Sequence, residues 1–238
     1  MKETYAQKFF SKKPVQQKQF DPQRTMQDAQ AKFNSEYYSQ PIQVPQTQFN
    51  PQIPYEDFAQ QIIQQEQKDC MNIALMVLAA EIMINKYRMI IIRGISGSGK
   101  STLALELKNI LKDAEVCEAD AFMGNNFNPN RLTNCHRECQ ELTRNTLKQG
   151  NVAIISNTNT TLGEMEIYRR IALDEGLTEK DIKIIEPLVY WKYNINKCMM
   201  MGTHKTVPRH ILEKHLNNIL MNPTTPDLLI RMRGATLS

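Results

Sequence analysis

The chain has 238 residues, 41% of them hydrophobic, and a net charge of +4. Evenly spread, that apolar content would build a sizeable core, but about the first fifty residues are rich in Gln, Pro and Lys, which leaves one globular domain in the remainder. A mildly basic balance permits a nucleic-acid partner without requiring one. The five cysteines are scattered with no C-x-x-C pair, which excludes a disulfide framework and predicts small core residues in a reducing compartment. The polar start lacks a signal-peptide pattern and no apolar run reaches membrane-spanning length, so the expectation is an intracellular protein of cytoplasm or nucleus, neither secreted nor membrane-bound.

Residues 1–54 carry Gln16, Gln17 and Gln19 and then Pro41, Pro45, Pro51 and Pro54. Such an arm buries too little apolar surface to offset its ordering entropy, which predicts disorder or polyproline II with a short helix over residues 26–37. Its aromatics are candidate docking points for a protein partner.

At Pro54 the character changes. A proline followed by Glu56 and Asp57 opens a helix, predicted to run to about residue 86 as a helical lead-in. Its second half, IALMVLAAEIMI, is apolar nearly all round. It is too short to span a bilayer, so burial against the following domain, or in a dimer contact, is the expectation.

The apolar run of residues 88–93 predicts a parallel strand covered on both faces. Directly after it comes RGISGSGKST, in which Gly94, Gly99, Lys100 and Ser101 fit the phosphate-binding pattern G-x-x-x-x-G-K-[ST], with a strand before and a helix after as that pattern requires. Gly97 and Gly99 allow backbone N–H groups to converge on an anion, and the helix opening at Lys100 adds its positive dipole end. The loop residues Gly94, Ser96, Gly97, Ser98, Gly99, Lys100, Ser101 and Thr102 are therefore expected to bind ATP or GTP. Lys100 is expected to point into a solvated site and reach the β- and γ-phosphates, and the Ser101 hydroxyl is the expected protein ligand of Mg²⁺.

Further elements follow in alternation: a helix to about residue 112, a strand near Val116, a helix over residues 130–148 stopped by Gly150, a strand over 151–156, a helix over 162–175 and a strand over 182–185. Strands alternating with helices predict a doubly wound α/β fold, a P-loop NTPase or kinase-like parallel sheet with flanking helices, filling residues 87–221. Helices over residues 194–201 and 208–220, with no strand between them, look like a C-terminal helical lid and its return. Residues 222–238, with Pro223 and Pro226, are predicted to be a loosely packed tail.

In open α/β sheets ligands sit beyond the carboxyl ends of the strands. Asp120 follows the second strand and is a candidate proton acceptor for a hydroxyl attacking a γ-phosphate. After the third strand come Ser156, Asn157, Thr158, Asn159 and Thr160, short polar side chains able to form turns or to position substrate. His136 lies between Cys135 and Cys139, yet no second cluster supplies the four convergent ligands of a zinc site. Trp191, after an apolar run, is assigned to the core in preference to base stacking.

These pieces in this order resemble the polynucleotide-kinase-like branch of small P-loop kinases over about residues 90–219: RGISGSGKST, EAD, FNPNRLTNCHRECQ, ISNTNTTLGEMEIY, EPLVYWK and GTHKTVPRHIL. The resemblance implies an ATP- and Mg²⁺-dependent kinase acting on the 5′-hydroxyl of an RNA or DNA end. By it Asp120 takes the place of the general base, His136 and Gln140 that of an H-x-x-x-Q pair on the substrate side, and Asn157 and Asn159 that of an N-T-N strand end. The helices after Trp191 match the family's lid. Two features depart from the family pattern. Methionines stand where the lid often carries arginines, leaving Lys197, Lys205 and Arg209 as candidate cations with Lys205 and Arg209 assigned catalytic roles, and Ser156 replaces a frequent aspartate. A small-metabolite kinase of the same fold and a nucleotide-binding module recruiting a protein through the arm or the lead-in helix are the alternatives.

Overall fold

The structure is a computed structural model, and it describes residues 55–124, 128–202 and 207–236. The expectations for residues 1–54 and for Lys205 fall outside the described residues.

The four strands are β1 (Met89–Ile92), β2 (Ala114–Cys117), β3 (Val152–Ile155) and β4 (Ile182–Ile185). They form one parallel sheet in the order β2-β3-β1-β4. β1 pairs with β3 through Ile90 and Ile154, and with β4 through Ile91 and Ile184. All four residues of β1 are fully buried. A strand inside a parallel sheet covered by helices has no polar face, which is why its sequence runs Met-Ile-Ile-Ile without alternation.

The helices are α1 (Tyr55–Asn85), α2 (Lys100–Ile110), α3 (Leu132–Lys148), α4 (Leu162–Asp174), α5 (Ile195–Met201), α6 (Arg209–Met221) and α7 (Leu228–Met232). The pleat sorts α1, α2, α3 and α4 into two layers, while α5 and α6 pack around Ile95 in a cluster of their own. Ile90, Ile92 and Ile154 meet Leu75, Leu78, Ala79 and Ile82 of α1 and Leu103, Ala104 and Leu107 of α2 on one face. Met89, Ile91 and Ile155 meet Cys135 and Cys139 of α3 and Met165, Tyr168 and Ile171 of α4 on the other. α4 starts where it does because Thr161 and Glu164 form a capping box, the Thr161 hydroxyl accepting from Glu164 N while the Glu164 carboxylate accepts from Thr161 N.

α1 is only half committed to this core. Glu81 pairs with Lys183 of β4, and Leu75, Leu78, Ala79 and Ile82 are buried, but Ile73, Val77, Met83 and Ile84 are exposed. Burial accounts for one side of the apolar helix and not for the other. The cysteines divide similarly, with Cys117, Cys135, Cys139 and Cys198 buried and Cys70 exposed. No helix among the described residues is long and apolar enough to cross a membrane.

The reading of residues 222–238 as a loosely packed tail is corrected. Leu228 and Met232, one helical turn apart in α7, are 1% and 0% exposed and complete the core beneath α4. Arg233 pairs with Glu179, and Gly234 N donates to the buried carboxylate of Glu166. The prolines end α6 and bend the chain; the apolar pair behind them then returns to the sheet. Each of Leu228→Ala and Met232→Ala is accordingly expected to cost about 2–5 kcal/mol in urea unfolding. A loss below about 0.5 kcal/mol in both would return the segment to a loose tail.

Candidate active site

The phosphate loop leaves β1 at a point held by hydrogen bonds to the neighbouring strand ends. Gly94 N donates to Thr158 O after β3, and Arg93 N donates to Ile185 O at the end of β4. The Asn159 amide donates to Ile92 O at 2.8 Å. The Arg93 side chain, wholly buried, donates to Thr160 O and to Asn222 O beyond α6. Burial lowers its pKa, with the Glu186 carboxylate opposing. Arg93 thus ties the strand end to the chain segment that follows the lid helices.

Within the loop, Gly97 and Gly99 have φ of +78° and +90°, the left-handed region that favours glycine. At Gly97 a Cβ would also lie 2.0 Å from the Cys198 carbonyl oxygen of α5, so the loop tip abuts the lid backbone. Gly99 precedes α2 and no side chain caps that helix, which leaves its first N–H groups facing the site.

Lys100 is placed differently from the expectation of a solvated lysine. It is 8% exposed, and its Nζ donates to Ile95 O at 3.0 Å, folded back over the loop. Burial lowers its pKa to about 8, against the pull of the Glu118 and Asp120 carboxylates. A polyphosphate beside this ammonium would add to the anionic charge and favour its charged form. The Ser101 hydroxyl donates to Glu118 Oε1 at 2.7 Å. Hydroxyl and carboxylate together are a hard-oxygen pair of the type that Mg²⁺ takes, so the residues present fit a nucleotide-borne magnesium ion.

Asp120 lies on the 3₁₀ turn Ala119–Phe122 that follows β2. That turn is held from below by Asn157, whose Oδ1 accepts from Ala119 N at 2.9 Å while its Nδ2 donates to the Tyr168 hydroxyl at 2.8 Å. It is held from the side by Arg131, which donates to Phe122 O and Met123 O. Burial pushes the Tyr168 and Cys139 groups of this network up, so both remain protonated at neutral pH.

These groups meet at a cavity of about 760 Å³, within the range of small-molecule sites. Ser96, Gly97, Gly99, Lys100, Ser101 and Thr102 form its floor, Glu118, Asp120 and Gly124 one wall, and Leu188, Val189 and Trp191 after β4 another. Met201 and Gly202 close it from the lid side, and Met71, Asn72 and Leu75 of α1 complete it. The loop behind Leu188 is fixed by Glu186, which accepts from Tyr193, Thr224 and Lys192. Burial alone would push its carboxyl up, but these partners hold it below the ordinary range.

Several expected site residues do not reach this cavity. Gly94 and Ser98 are buried in the loop's interior. Asn157 and Asn159 spend their amides on the fold, as positioning groups and not as open substrate contacts. His136 is exposed on α3 and Gln140 half-buried one turn on, and neither is among the lining residues. Cys135 and Cys139 face the core, away from His136. Arg209 donates to Glu213 and to Asn196, and is likewise outside the lining. Trp191, assigned to the core, is half-buried between the lid cluster and the cavity. Glu118 was missed by the sequence reading, although its place immediately after β2 is the signal by which it could have been found. The α1 contribution had no such signal, because it depends on how that helix lies across α2.

Sheet, loop and cavity together define a P-loop kinase-like α/β domain with a nucleotide-binding fold. Residues 89–191 match the family described as "AAA domain". A chain of the solved structure titled "Structure of the Pnkp1/Rnl/Hen1 RNA repair complex" is similar at 18% identity over 57% of this chain, with a TM-score of 0.47. The match takes in 44% of that chain, so the present chain spans less than half its length.

The depressed Lys100 gives a pH signature. With a folded pKa near 8 against 10.5 for an ordinary lysine, the free chain sheds this proton before the unfolded chain does, so its stability rises between those two pH values. A phosphate beside Nζ restores the charge. Nucleotide binding at about pH 9 is expected to take up close to one proton, seen by calorimetry in buffers of different ionisation enthalpy, and almost none at pH 6.5. Lys100→Ala removes the uptake; an unchanged uptake in that variant would place the titrating group elsewhere.

Proposed function

We propose that this chain is a Mg²⁺-dependent kinase that transfers the γ-phosphoryl group of ATP or GTP to a hydroxyl, with the 5′-hydroxyl of an RNA or DNA end as acceptor. The observation that carries the reading is the convergence of Lys100, the Ser101–Glu118 pair and Asp120 on one cavity beyond the carboxyl ends of β1 and β2. The order of motifs shared with polynucleotide-kinase-like proteins supports the acceptor, and the net charge of +4 is compatible with it.

In this reading the loop N–H groups and the α2 terminus bind the phosphates, and Lys100 swings from Ile95 O to neutralise charge on the transferring group. Ser101 and Glu118 would hold the metal ion, which supplies Lewis-acid charge at the phosphate oxygens. Asp120, on a turn anchored by Asn157 and Arg131, accepts the proton of the attacking hydroxyl. A second reading, a nucleotide-binding module without transfer, is favoured by one observation. The described lid presents Met201 and Gly202 to the cavity, while Arg209 is engaged by Glu213 and Asn196.

The test incubates the protein with γ-labelled ATP, Mg²⁺ and a panel of 5′-hydroxyl RNA, 5′-hydroxyl DNA and small hydroxyl compounds. Label on the oligonucleotide ends is the expected result; label on a small compound alone selects a metabolite kinase, and nucleotide binding without transfer selects the second reading. Asp120→Asn is expected to lower turnover by roughly 10² or more with nucleotide affinity little changed. Full activity in that variant would remove Asp120 from the role of base.

A further inference from the structure

α1 reaches the cavity from outside the segment that carries the phosphate loop, and one residue there breaks a pattern. The inner stripe of the helix, read backward from its end, is Ile82, Ala79, Leu78 and Leu75, then Asn72 and Met71. These positions recur at helical spacing and so share one side. Ile82 to Leu75 are buried against the sheet and α2, but Met71 and Asn72 lie beyond that contact and line the cavity instead. Asn72 is the polar member of an otherwise apolar row. From α2, Glu106 lines the same cavity one turn after Thr102. Both Asn72 and Glu106 are exposed, and among the described residues neither has a hydrogen-bond or ionic partner.

Their side of the cavity is remote from Asp120. The sheet order is β2-β3-β1-β4, with Asp120 just past β2 at one edge, whereas Glu81 ties α1 to Lys183 of β4 at the other. A nucleotide with its phosphates on the loop and its γ-phosphate toward Asp120 would carry its base on the α1 side. There Met71, Leu75, Leu188 and Val189 offer apolar surface for the faces of a ring. Glu106 stands about 6 Å along α2 from Thr102, past the phosphate end of the site.

We propose that this corner is a nucleobase subsite and that Glu106 and Asn72 make it select guanine. The inference rests on the reading of the cavity as a nucleoside triphosphate site. Guanine presents two adjacent donors, N1–H and the N2 amino group, which match the two oxygens of a carboxylate in a charge-assisted bidentate pair. Its acceptors O6 and N7 suit the NH₂ of an amide. Adenine presents one donor group, the N6 amine, beside the lone pair of N1. A carboxylate at that edge makes one bond and sets its other oxygen against a lone pair. A carboxylate one turn from the phosphates also opposes nucleotide binding by repulsion, and the donors of guanine offset it.

The test is calorimetric titration of the full chain with the Mg²⁺ complexes of GTP, ATP, inosine triphosphate and inorganic tripolyphosphate. GTP is expected to bind about tenfold tighter than ATP, with inosine triphosphate, which lacks the N2 amine, between them. Glu106→Gln is expected to bring GTP and ATP within about twofold of each other, and Asn72→Ala to weaken GTP about fivefold. Tripolyphosphate, which has no base, should bind the Asn72→Ala variant as it binds the parent. Because both side chains are exposed, each variant should keep the parent's circular dichroism spectrum. Equal or reversed affinities for GTP and ATP in the parent, with tripolyphosphate bound, overturn the guanine subsite and leave the phosphate site standing. A GTP preference that survives both substitutions overturns the assignment to Asn72 and Glu106. Failure of all four compounds to bind overturns the nucleotide reading and this inference with it.

Discussion

The structure depends on the complete burial of β1. The strand has neighbours on both edges and helices on both faces, and the point at which it releases the chain is held by hydrogen bonds to Ile185 O and Thr158 O and from Asn159. The phosphate loop begins at that point. Its glycine conformations and its open helix end need no further scaffold, because the sheet has already aimed them. The buried Arg93 extends the same constraint outward to Asn222, so the segment behind the lid is registered to the strand that carries the loop.

Around this anchor, polar groups are held by burial and by one another. Asn157 links the turn bearing Asp120 to Tyr168 on α4, so the proposed base is positioned by the layer beneath the sheet. Its amide has both ends satisfied, which is what makes a buried polar side chain a rigid support. Lys100 is the opposite case. Its ammonium is desolvated and leans on a carbonyl, so the free site holds a charge whose environment improves when an anion arrives.

α1 shows how one helix can serve two surfaces. Its buried stripe closes the face of the sheet that α2 leaves open, and near its middle Met71, Asn72 and Leu75 reach the cavity. The helix lies outside the segment matched by the family, residues 89–191, yet contributes a wall of the site.

What the sequence determined by itself is the local grammar. The apolar run of β1, the glycine pattern after it, the alternation of strands and helices and the place of the phosphate loop were all legible, because each is set by periodicity or by backbone chemistry within a few residues. Even Glu118 was within reach, since the first residue past a parallel strand faces the site. Tertiary structure alone decided the rest. Two prolines masked α7, a helix of five residues, too short to show a period, whose Leu228 and Met232 are recruited by a gap under α4. Asn157 and Asn159 were polar residues at a strand end, and only the identity of the groups opposite them made them supports of the fold. Arg209 was a free cation in the sequence until Glu213 and Asn196 took its donors. Lys100 stood in the loop pattern, but its burial and its bond to Ile95 O belong to the folded loop. A side chain's type is local information; whether it binds a ligand or holds the protein together depends on what the fold sets across from it.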